Sequence, residues 1–61
     1  MMEELKNKFW TSQDEMVTEL EEEYYLDVVY VDDELLEVVT QSDETKVFTL
    51  IKANNTIAIR Q

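Results

Sequence analysis

Carboxylates are the only abundant reactive side chains in this 61-residue sequence: fifteen Asp and Glu stand against five Lys and Arg, with no His and no Cys. Without His the commonest general base and transition-metal ligand is missing. Without Cys there is no thiolate ligand, thiol nucleophile or disulfide. Ser12, Ser42 and the threonines have only carboxylates or lysines to pair with, so nucleophile–base catalysis is close to excluded. The absence of Gly removes any glycine-rich phosphate cradle or dinucleotide fingerprint. An acid–base carboxylate pair could be drawn from Asp32, Asp33, Glu34 and Glu37. Such a pair needs a partly apolar pocket to separate its two pKa values, which a chain of this length rarely encloses beside a core. Neither enzymatic activity nor a cofactor is expected. Oxygen ligands for Ca²⁺ or Mg²⁺ could come from Asp32-Asp33-Glu34 with Glu37, or from Asp43-Glu44. The EF-hand pattern is absent and acidic turns commonly carry no metal, so no metal site is expected either.

What the carboxylates can do is bind a cation-rich surface. The net charge is −10, and it is distributed unevenly. From Phe9 to Thr45 there are thirteen acids and no base, whereas Lys46 to Gln61 holds three bases and no acid. A surface of that sign repels phosphate, so direct nucleic-acid binding is excluded. The densest acids lie in Asp14–Glu23. On a helix Glu15, Glu19 and Glu22/Glu23 fall on one side, with Asp14 and Glu21 adjacent. Like-charge neighbours such as Glu15–Glu19 and Glu19–Glu23 are each unfavourable by roughly 0.2–0.5 kcal/mol. Glu21, Glu22 and Glu23 also oppose the helix dipole, at roughly 0.3–1 kcal/mol for an exposed site. A sequence selected for helix stability alone would place Lys or Arg there, so the row is either a solvated face or one retained for a partner. Carboxylates about 5–6 Å apart have the scale of phosphates along a strand, which a basic nucleic-acid groove could accept.

These acids must be positioned by local elements. The first 25 residues follow a helical period, with Met2, Leu5 and Phe9 in one stripe and Met16, Leu20 and Tyr24 in another. Ser12 with Glu15 three residues on forms a capping box. The spacing predicts a short helix at about 2–9 and a second at about 13–25, with one long helix as the competitor. From Leu26 the period becomes two and β-branched residues dominate, predicting strands at 26–31, 35–41, 46–52 and 56–60. The separators are Asp32-Asp33, Ser42-Asp43-Glu44-Thr45 and Asn54-Asn55. In a chain without Gly, Asn and Asp must supply the tight turns. The expected fold is α+β: one or two N-terminal helices packed on a three- or four-stranded antiparallel meander, forming one small domain over 1–61.

Counting outward from these turns sets Tyr30 opposite Leu35, Val39 opposite Phe48 and Leu50 opposite Ile59. One sheet face then carries Leu26, Val28, Tyr30, Leu35, Val39, Phe48, Leu50, Ile57 and Ile59, the seat for the Met16/Leu20/Tyr24 stripe. The other carries Val29, Val31, Leu36, Val38, Val47 and Ile51. Six aliphatics on an outer face call for cover, either by Leu5, Phe9 and Trp10 of the N-terminal helix or by a second chain, which makes this second set a candidate dimer face. A slip of one residue would exchange the two faces.

In size and charge the whole chain resembles the small acidic inhibitors made by phages and other mobile elements, some of which mimic nucleic acid; no residue correspondence accompanies that likeness. The leading expectation is a non-enzymatic interaction module, an inhibitor or regulator docking on a basic, nucleic-acid-handling protein. Glu15, Glu19, Glu22, Glu23, Asp32, Asp33, Glu34 and Glu37 would supply the charge, and Trp10 or Tyr25, which fall off the main stripe, an aromatic anchor. The alternatives are a self-associating homodimer and an antitoxin-like partner of a basic toxin. The N-terminus lacks a secretory apolar core and no run approaches the roughly 20 residues that span a bilayer, so a cytoplasmic location without membrane contact is expected.

Overall fold

A computed structural model describes Leu5 and residues 7–60. Its elements are helix α1 (Gln13–Glu22) and strands β1 (Asp27–Val31), β2 (Leu35–Val39), β3 (Thr45–Ala53) and β4 (Thr56–Arg60). The strands form one antiparallel meander in the order β1-β2-β3-β4. Of the helix expected over 2–9, residues 2, 3, 4 and 6 lie outside the described residues, and residues 7–9 are turn and irregular chain rather than helix. Leu5 is helical, and the Lys8 N–H donates to its carbonyl at 3.2 Å. One continuous helix is overturned, because Trp10 pairs with Ile57 through two backbone hydrogen bonds of 2.9 and 2.7 Å. That pairing covers the outer edge of β4 locally.

Helix α1 starts where the cap predicts. Ser12 is extended at φ −149° and its side chain accepts the Glu15 N–H. The Glu15 carboxylate in turn accepts the Thr11 hydroxyl at 2.7 Å. The helix stops at Glu22, three residues before the expected end. Tyr25 then takes a left-handed conformation (φ 57°), and the Leu26 N–H reaches back to the Leu20 carbonyl at 3.0 Å. This reversal delivers the chain into β1.

The Asn54-Asn55 turn forms as expected. Both residues have positive φ, and Leu50–Ile59 and Lys52–Ile57 are opposed. The other two turns correct the expected register. Between β1 and β2 the turn is centred on Asp33-Glu34 rather than Asp32-Asp33. The Asp32 N–H donates to the Leu35 carbonyl, while the Asp32 carboxylate accepts the Glu34 and Leu35 N–H groups at 2.7 Å each. Tyr30 therefore faces Glu37, and a bulge at Val29 returns Val28 opposite Val38. Between β2 and β3, Thr40 pairs with Glu44 across Gln41-Ser42-Asp43, with Asp43 left-handed at φ 63°. Leu36 thus faces Phe48, three positions from the expected pairing of Val39 with Phe48.

An odd shift exchanges faces. Leu36 and Val38 point inward at 0% exposure, joining Phe48, Leu50, Ile57 and Ile59 under Met16 and Leu20 of α1. Leu5, Trp10 and Leu26 complete this core, with Val17, Tyr24, Val28 and Val31 packed against it. Leu35 and Tyr30, expected inside, are exposed. The physical reason is Glu37. The expected register would have put Leu35, Glu37 and Val39 on the core face and buried a carboxylate without a partner. In the observed one Glu37 faces outward, flanked along β2 by the buried Leu36 and Val38.

Candidate functional site: the carboxylate face of α1

Along α1 the acids form a ladder. Asp14 and Glu15, Thr18 and Glu19, Glu22 and Glu23 line one shallow depression. These pairs recur every four residues, so successive rungs are about 6 Å apart along the axis. The opposite side of the helix is fixed by Met16 and Leu20, both fully buried. Core packing therefore decides which side the acids present. Thr18 carries no charge, so in the sequence only the i, i+4, i+8 series Asp14-Thr18-Glu22 marks it.

The rungs differ in their local partners. Glu19 is the best anchored: its Oε2 lies 2.9 Å from Lys8 Nζ, and that ammonium also sits 5.9 Å from the centre of the Tyr24 ring. The hydrogen bond to Glu19 raises the Lys8 pKa above the ordinary lysine value, overcoming the opposing effect of desolvation, with further support from the Glu19 and Tyr24 charges. Glu15 holds the Thr11 hydroxyl. No basic residue lies in the last turn of α1, so Glu22, with the C-cap Glu23, faces the negative end of the helix dipole. Immediately beyond, Tyr25 is 65% exposed in the left-handed region, a conformation that costs a non-glycine residue roughly 1–2 kcal/mol.

The remaining candidates separate from this face. Asp32 is a turn-forming residue. Its carboxylate is held below the ordinary value chiefly by the Glu34 and Leu35 N–H groups and then by the Tyr30 hydroxyl, which donates at 2.8 Å. The same hydrogen bond raises the Tyr30 pKa. Asp33 pairs with Lys52 at 3.1 Å. Glu37 lies on the sheet face opposite α1, between Tyr30 and Val47. Trp10 is not an exposed anchor: it is 1% exposed in the core, and its indole N–H has no partner among the described residues. The candidate dimer face is likewise redistributed. Val31, Leu36 and Val38 belong to or pack against the core, while Val29, Val47 and Ile51 are exposed.

Among the described residues no group of three or more acids is arranged to hold a metal ion, and no helix is long and apolar enough to cross a membrane. No family model matches the chain, and no curated protein or solved structure is significantly similar to it.

Proposed function

We propose that this chain is a non-enzymatic interaction module that docks the carboxylate face of α1 on a basic, nucleic-acid-handling protein and so inhibits or regulates it. The observation that carries this reading is the regular ladder at 14/15, 18/19 and 22/23, continued to the end of the helix with no basic residue in its last turn. The spacing of its rungs suits a row of Lys or Arg side chains built to hold phosphates. Tyr25, exposed beside the last rung, supplies an aromatic contact of the kind that anchors interfaces. Electrostatic attraction of this type gives fast association and affinity that falls with salt.

The test is charge reversal at the helix end. Glu22→Lys with Glu23→Lys leaves the Lys8–Glu19 pair and the buried face intact. It should stabilise the isolated protein by about 0.3–1 kcal/mol per site, since each lysine then favours the dipole. In affinity purification from the native host, a partner held by the parent chain should be lost by the double variant. It should also elute from the parent as ionic strength rises from about 0.1 to 0.5 M. A partner whose retention is unchanged by both would assign these acids to solvation alone.

A further inference from the structure

Lys8 stands where a ligand of the α1 ladder would stand. Among the described residues the ion pairs are Lys8–Glu19, Lys46–Glu44 and Lys52–Asp33, so Glu19 is the one ladder acid that holds a cation. Its rung lies midway between Asp14/Glu15 and Glu22/Glu23. The cation comes from outside the helix. Lys8 belongs to the irregular chain before α1, between the buried Leu5 and Trp10, which fix where its backbone sits. Its ammonium reaches Glu19 Oε2 at 2.9 Å and lies 5.9 Å from the centre of the Tyr24 ring. A carboxylate beside an aromatic face makes a seat for a cation, and a planar guanidinium suits such a seat better than an ammonium does.

We infer that Lys8 is a tethered competitor, an autoinhibitory contact that a partner's arginine displaces when it docks on α1; this rests on the docking face proposed above. Two properties of the contact fit that role. The first is that it is weak enough to exchange. The Lys8 and Glu19 side chains are 41% and 27% exposed, and an ion pair this open to water is worth little. Leu5 and Trp10 hold the segment by burial, so the ammonium can swing into water without disturbing the core. The second is placement. While Lys8 is seated, the five carboxylates of the ladder are interrupted at their centre by a positive charge. An incoming row of bases meets a like charge there and gains full complementarity only when Lys8 leaves. The cost to affinity is about two- to five-fold, the range set by an exposed pair.

The probe is a fluorescein-labelled octa-arginine peptide, titrated with the full chain and read by anisotropy. At about 0.15 M salt, exposed charges more than about 8 Å apart are largely screened from one another. Lys8→Gln should bind the peptide about two- to five-fold more tightly than the parent, with an unchanged circular dichroism spectrum. Arg60→Gln removes the same charge from the opposite sheet face and should leave the affinity near that of the parent. In the parent, saturating octa-arginine should move the Lys8 side-chain methylene resonances away from their ring-shifted position beside Tyr24 as the ammonium leaves. Equal tightening by Lys8→Gln and Arg60→Gln, or Lys8 resonances unmoved at saturation, overturns the competitor while leaving α1 a docking face. A Glu22→Lys/Glu23→Lys variant that binds octa-arginine as tightly as the parent removes the docking face itself, and the competitor with it.

Discussion

Tyr25 and Asp32 show how single residues carry the local cost and gain of this fold. A left-handed residue just past a helix end is ordinarily Gly or Asn, because a Cβ crowds the following carbonyl. Tyr25 holds that position with its ring in water, so it gives up stability without burying its aromatic surface. Tyr25→Asn should raise stability by about 0.5–1 kcal/mol in chemical denaturation. If the ring is a contact residue, the same variant should weaken partner binding. A destabilised variant would show that the ring is needed by the fold itself. Asp32 makes the opposite contribution. Its carboxylate replaces a backbone carbonyl as acceptor for two turn N–H groups, which holds its folded pKa below the unfolded one. That stabilisation is present above the ordinary carboxylate value and is lost as pH falls through the lower folded one. Asp32→Asn keeps an acceptor oxygen but cannot titrate. Thermal unfolding from about pH 2 to 6 should therefore be flatter at its acid end in the variant. Equal acid sensitivity of both proteins would remove Asp32 from the pH response.

At the scale of elements, β2 decides the architecture. Both of its faces read as apolar, Leu35 and Val39 on one and Leu36 and Val38 on the other, so alternation alone does not orient it. The three-residue turn at Gln41-Ser42-Asp43 and the side-chain-closed turn at Asp32 settle the choice together. The register makes unequal predictions for adjacent leucines. Leu36→Ala should cost about 2–5 kcal/mol and Leu35→Ala well under half of that, because Leu36 is fully buried and Leu35 is not. Equal losses in denaturant titration would contradict the orientation of β2. Helix α1, by contrast, was legible almost completely from its start: the Ser12 cap and the Met16/Leu20 stripe lie in adjacent residues and need no distant partner. Its end was not. The reversal depends on Leu26 entering the core, and nothing local to Glu23 or Tyr24 announces it.

At the scale of the molecule, the fold separates two chemistries that the sequence interleaves. The ladder of α1 lies on one side of the sheet, while the exposed apolar side chains of Tyr30, Leu35, Val47 and Ile51 lie on the other. Salt should weaken any binding through the first.

The sequence by itself determined the start of α1, the four strands, the acidic stretch and the residue types that are missing, because composition, caps and periodicity act within a few residues of one another. His and Cys are absent whatever the fold. Only the tertiary structure decided which residues share a face. Trp10 left the surface because its segment pairs with Ile57 and seats the indole in the core, a contact spanning 47 positions of sequence. Leu36 and Val38 left the candidate dimer face because two turns shifted the register of β2, with Glu37 kept out of the core as the physical gain. Side-chain orientation in a sheet has a period of two residues. A single residue more or less in a turn is therefore invisible to composition yet reverses every assignment beyond it.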